Sequence, residues 1–146
     1  MEDILNEKKY QFLNHVSDAY LQAFGKSLNE TFENAALGFT ATVVSIDKIR
    51  PTIFKRFKVK GIDRLHLLYN WLELLLLELT IKSNIFNEFS VNIVENGGLE
   101  LTATARGESL NPKIHQPEVE IKAVTYHLME VIEEKNQFII KFLLDL

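Results

Sequence analysis

The sequence closes on IIKFLLDL, residues 139–146. Phe138, Ile140, Phe142 and Leu144 alternate with period two, the pattern of a strand with one face in a core. Asp145 follows at once, and the terminal carboxylate on Leu146 comes next. A second aspartate, Asp18 in HVSDAYL, sits between apolar segments near the other end of the chain. Carboxylates gathered in one place repel one another unless a cation lies among them. Ca²⁺ takes roughly 6–8 oxygen ligands, and Mg²⁺ keeps more of its own water, so either suits such a group. The same residues also read as a solvated terminal aspartate and a turn aspartate that never meet. Lys141 shares the strand face of Asp145, but four residues back it is no assured partner.

Other chemistry finds less support. The histidines, His15, His66, His115 and His127, form no HExxH pair, and no two are close in sequence. His66 lies in a leucine-rich stretch, the setting of a core histidine. The other three flank apparent bends or strand ends, where an imidazole orients a neighbour or simply joins the surface. There is no cysteine, which excludes thiol nucleophiles, zinc fingers and iron–sulfur centres and fits a reducing cytoplasm. No phosphate-binding loop, dinucleotide fingerprint or serine-hydrolase elbow is present. The net charge of −4 predicts no direct binding of nucleic acid, because phosphate contacts demand a basic excess. The basic run KRFKVK alternates Lys58 and Lys60 with Phe57 and Val59, as on the solvated face of a strand. LLYNWLELLLLEL, interrupted by Asn70, Glu73 and Glu78, is shorter than the ~20 apolar residues of a membrane span and reads as a buried helix. The acidic start MEDILNEKKY has no apolar signal region.

The elements that must position these groups follow from patterning. One domain over residues 1–146 suits the length. KYQFLNHVSDAYLQAFG has no helical period and predicts one bent strand or two, with the bend near NHVSD. Ser27 with Glu30 predicts a capped helix start, and Leu28, Phe32, Ala35, Ala36 and Phe39 its apolar face. TIFKRFKVK returns to strand, and Asp63 caps the leucine-rich helix. FSVNIVE and LELTATARG pair through the turn Asn96–Gly98. Glu108–Pro117 is a polar loop, VEIKAVTYHLMEV one long strand, EEKNQ a turn and FIIKFLLDL the last strand. The fold class is α+β: about seven strands in a mixed or antiparallel sheet, with two main helices packed on it.

HVSDAYLQAFGKSLNETFENAALGF, LLYNWLELLL, RGESLNPKIHQPEVEIKAVTYHLMEV and the aspartate before a final aliphatic residue together resemble the archease family, in the right order over almost the whole chain. The resemblance implies a small cytoplasmic protein, not itself an enzyme, that activates the RtcB-type RNA ligase of tRNA splicing and RNA repair by promoting its guanylylation and multiple turnover. It implies a divalent metal, calcium or alternatively magnesium, held by Asp18, Asp145 and the carboxylate of Leu146. Lys122 and His115 match family positions and become candidates for partner contact. The family's His-Thr-Ala-Asp reads His15-Val16-Ser17-Asp18 here; its Asp before the tryptophan reads Asn70, and its Asn-Glu after Trp-Leu reads Glu73-Leu74, so two acidic positions are changed. The alternative is a chaperone or adaptor for a tRNA-modifying enzyme such as a methyltransferase; a metal-dependent hydrolase acting alone is the third reading.

Overall fold

The computed structural model describes residues 8–13 and 18–146. In chain order the elements are β1 (Tyr10–Leu13), β2 (Asp18–Gly25), α1 (Leu28–Val43), a 3₁₀ turn (Ile46–Lys48), β3 (Ile53–Gly61), α2 (Arg64–Thr80), β4 (Asn84–Glu95), β5 (Leu99–Ser109), the short α3 (Pro112–His115), β6 (Ala123–Glu133) and β7 (Phe138–Asp145). Among the described residues the seven strands form two antiparallel sheets, ordered β1-β2-β7-β6 and β3-β5-β4. The α+β class with two main helices therefore holds, with the strands divided between two sheets.

The helices explain the division. On α1, Phe32, Ala35, Ala36 and Phe39 are buried, but so are Thr31, Asn34 and Thr40, so the covered arc is too wide for one sheet. The helix packs against β2 on one side and β4 on the other, and α2 spans β6 and β3 in the same way. Polar ties match. Asn34 Nδ2 donates to Phe24 O at 2.6 Å in the first sheet, and Thr40 Oγ1 to Phe86 O at 2.8 Å in the second. The N–H groups of Val91 and Ile93, on edge strand β4, donate to Glu33 Oε2 (2.8 Å) and Asn29 Oδ1 (2.9 Å) of α1. An edge that would otherwise template pairing with another chain is thus covered by a helix. Burial pushes the Glu33 carboxyl above its ordinary range against the opposing effect of the Val91 N–H.

Both helix starts form as the sequence predicts. Ser27 Oγ accepts from Glu30 N at 3.1 Å, and Asp63 Oδ1 from His66 N at 2.8 Å. Trp71 is fully buried in edge-to-face contact with Phe57 and Phe89, and its Nε1 donates to Phe32 O at 3.2 Å, joining α2 to α1. Asn70 Nδ2 donates to Lys60 O at 2.8 Å, tying α2 to β3. Glu78, which interrupts the leucine run, is 4% exposed and held by Lys55 Nζ (3.2 Å), Lys82 Nζ (3.1 Å) and Asn84 Nδ2 (3.1 Å). Burial alone would raise its pKa, but these three donors together hold it below the ordinary glutamate range.

Three local departures from the sequence reading have physical causes. β4 starts at Asn84, before Phe89, and bulges between Phe86 and Glu88. Gly107 lies across from that bulge, where a Cβ would fall 1.8 Å from Ile85 O, so only glycine admits the close approach. The polar loop folds into α3, with Asn111 Oδ1 capping Lys113 N at 3.0 Å and Pro112 in its first turn. The long strand begins only at Ala123, and its register to β7 breaks between Thr125 and Glu130. Leu128, inside this bulge, takes φ = 61°, and Tyr126, half exposed, stacks on Tyr69 of α2 with centroids 4.3 Å apart.

Candidate functional site

Strand parity decides where the aspartates go. Along β2, Ala19, Leu21 and Ala23 turn into the core; along β7, Ile140, Phe142 and Leu144 do the same, each fully buried. Their register joins Ala19 to Leu144, Leu21 to Phe142 and Ala23 to Ile140. The next position beyond Ala19 and Leu144 pairs Asp18 with Asp145, on the opposite face. Directly opposed residues on antiparallel strands have Cβ atoms about 4.5–5.5 Å apart on the same side of the sheet. Two carboxylates from the two ends of the chain therefore share one edge, Asp18 half-buried and Asp145 exposed.

The backbone beneath Asp145 is well held. β7 lies between β2 and β6, and Ala123 of β6 is the partner of Asp145 on its other side. Lys122 N donates to Asp145 O at 2.7 Å. Leu146 packs its side chain against the core, so the last turn of β7 is clamped on both sides of the aspartate. Lys141, on the same face, reaches Glu130 of β6 at 3.8 Å rather than being committed to Asp145. Asp18 makes a further interaction of its own. The reading of a loose terminal aspartate and an unrelated turn aspartate does not describe this register.

Donor chemistry here suits a hard cation, since carboxylate oxygens are what Ca²⁺ and Mg²⁺ prefer. Among the described residues no cluster of three or more His, Cys, Asp or Glu side chains forms a metal cage. Further ligands would have to be main-chain oxygens, water or groups outside the described residues. His15, Val16 and Ser17 lie outside them.

The other singled-out residues lie apart from this pair. His115 is 1% exposed; its Nδ1 accepts from Asn111 N at 2.8 Å, and its Nε2 approaches Glu108 Oε1 to 2.9 Å, close but oblique to the hydrogen-bond direction. Glu108 Oε2 also accepts from Arg50 N and lies 3.8 Å from Arg50 Nε. His115 thus fastens its loop from inside and offers no ring to a partner. Lys122 is exposed immediately before β6. His66 is half-buried, accepting from Ile62 N at 3.0 Å on Nδ1, with Asn70 Nδ2 3.2 Å from Nε2. His127 is exposed in the β6 bulge. Sequence reasoning missed that bulge because Thr-Tyr-His-Leu carries no glycine, the usual sign of positive φ.

Residues 10–146 match the model of the Archease protein family. The chain is 35% identical to protein archease of Sulfurisphaera tokodaii over 139 residues, covering 95% of this chain and 99% of that one. It is 36% identical to protein archease of Pyrococcus abyssi over 125 residues, covering 85% and 88%. A Methanobacterium thermoautotrophicum protein solved in solution superposes with a TM-score of 0.81 at 34% identity, over 95% of this chain and 99% of that one. The crystal structure of a Thermotoga maritima archease, described as a possible chaperone, shares the fold with a TM-score of 0.59 at 20% identity, over 93% and 96%.

Proposed function

The chain belongs to the archease family, and from that premise we propose that it is a non-enzymatic cytoplasmic protein cofactor that activates an RtcB-type RNA ligase, promoting the ligase's guanylylation and repeated turnover. The observation that carries this reading is the register pairing of Asp18 with Asp145. Asp18 and Asp145, with an oxygen of Leu146, would hold a divalent cation, calcium first and magnesium second. When bound, the cation supplies positive charge that offsets the paired carboxylates and a centre for further oxygen ligands.

The chain's own part is positional. The β6–β7–β2 ladder fixes Asp145 against Asp18, the Lys122 amide holds the Asp145 carbonyl, and the Leu146 side chain anchors the strand end. The exposed Lys122 side chain stands beside this edge as a partner contact. Activation requires that this edge bind the ligase conformation competent for nucleotide attachment more tightly than the resting one, since equal affinity shifts no population.

A second reading has its own support. The Thermotoga maritima archease is described as a possible chaperone, which favours an adaptor that keeps a tRNA-modifying enzyme soluble. The deciding experiment adds the wild-type chain or Asp145→Ala to a cognate RtcB-type ligase and follows covalent GMP attachment. The activator reading expects the wild type to raise the rate and Asp145→Ala to lose most of that gain. An unchanged rate, alongside suppressed aggregation of a methyltransferase, selects the adaptor.

A further inference from the structure

The outward face of the β3–β5–β4 sheet carries chemistry unlike that of the aspartate edge. Register places Phe54 beside Arg106, Arg56 beside Thr104 and Lys58 beside Thr102, all on the side turned away from the helices. Arg56, Lys58, Lys60 and Arg106 outnumber the face's carboxylates, Glu88 and Glu100, although the whole chain carries −4. Lys58 and Lys60 each lie 3.9 Å from a Glu100 oxygen. These lysines also guard the open β3 edge against pairing.

The arginines are differently placed. Among the described residues neither Arg56 nor Arg106 has a carboxylate within ion-pair distance, although the exposed Glu88 of β4 lies directly across from Arg106 in the register; both arginines stand over the Phe54 ring, at 5.6 and 5.1 Å from its centroid. Phe54 is itself 45% exposed. Beside them runs a shallow trough of ≈ 500 Å³ lined by the hydroxyls of Ser90, Thr102 and Thr104 and the amide of Asn92. Two guanidiniums free of carboxylate partners, a solvent-facing ring and a row of neutral hydrogen-bonding groups suit a ligand that is both anionic and flat-faced. An acidic protein surface would satisfy the arginines but offer nothing planar to the ring.

We propose that this face binds single-stranded nucleic acid. Arg56 and Arg106 turn from the Phe54 ring to neighbouring phosphates, a base stacks on the ring face they leave, and the trough receives sugar or phosphate oxygens. The net charge of the chain hides this because its acids are concentrated elsewhere. The proposal does not rest on the ligase reading, and a chain that activated no ligase would still bind.

The test is fluorescence anisotropy of the full chain with a labelled single-stranded RNA of about 20 nucleotides, its duplex form, and poly-glutamate as competitor. Binding should weaken about sevenfold between about 50 and 200 mM salt, as expected for two phosphates on a single strand. The Arg56→Gln/Arg106→Gln variant should bind at least about tenfold more weakly, and Phe54→Ala roughly tenfold more weakly. Phe54→Leu keeps apolar volume without the ring and should lose as much. Lys135→Gln, in the β6–β7 turn, should bind like wild type. Unaltered affinity in the arginine variant, equal affinity for the duplex, or displacement by poly-glutamate as effective as by unlabelled RNA would each overturn the proposal.

Discussion

Asp18 and Asp145 face each other across adjacent antiparallel strands, one step beyond the buried pair Ala19 and Leu144. The core-facing parity of β2 and β7 turns both carboxylates outward together. A single-residue slip of β7 would turn Asp145 inward and expose Leu144 and Phe142, so the hydrophobic pattern enforces the meeting of the aspartates.

Calcium should therefore act on stability through this pair. At free calcium about 100-fold above its dissociation constant, binding to the native state adds about 2.7 kcal/mol, read as a rise in Tm. Asp145→Asn should lose most of that rise. In chelator the same variant should differ from wild type by less than about 1 kcal/mol, since it only removes one of two like charges on an exposed edge. Equal calcium-induced shifts in both proteins would remove Asp145 from the site.

Glu78 supplies a pH dependence of definite sign. Its folded pKa lies below the ordinary value of 4.5, so its contribution is complete above that pH and is lost as the pH falls through the folded value. Glu78→Gln should cost about 1–3 kcal/mol at neutral pH. The gap from wild type should close on acidification below about pH 4.5. Urea titrations across that window measure it; a gap that widens in acid contradicts the assignment.

Leu128 stores backbone strain. A branched side chain at φ = 61° costs about 1–2 kcal/mol, and Leu128 is 40% exposed, so little packing offsets it. Leu128→Gly releases the strain at a glycine entropy cost of about 0.5–1 kcal/mol. The variant should be no less stable than wild type, and up to about 1 kcal/mol more stable, by urea midpoint. A loss of several kcal/mol would show that the Leu128 side chain is structural.

What the sequence made legible was whatever rests on local pattern. Ser27 and Asp63 announced their caps, and the alternation before Asp145 announced β7. Less visible were features set by partners distant in sequence. Lys55 shares the inward parity of Phe57 and Val59, but the partner that accommodates a lysine there, Glu78, lies on a helix distant in sequence. The two-sheet division follows from the width of the buried arc on α1, where Thr31, Asn34 and Thr40 look like solvent-facing positions. His115 sits in a polar loop like a surface residue, but Glu108 and Asn111 draw it inside. Residue type left the aspartates readable either as cation ligands or as solvated residues, and the archease resemblance pointed to the first; their opposition required the register of β2 on β7.

Strand order also governs when the acidic edge comes into being. β7 lies between β2 and β6, so the first sheet stays split until Phe138–Asp145 has left the ribosome. β3, β4 and β5 can already have zipped together by then, since domains begin folding from the N-terminal side during translation. A nascent chain stalled before Phe138 would present the arginine face but leave Asp18 without Asp145 across from it, so any calcium response would have to wait for the arrival of β7.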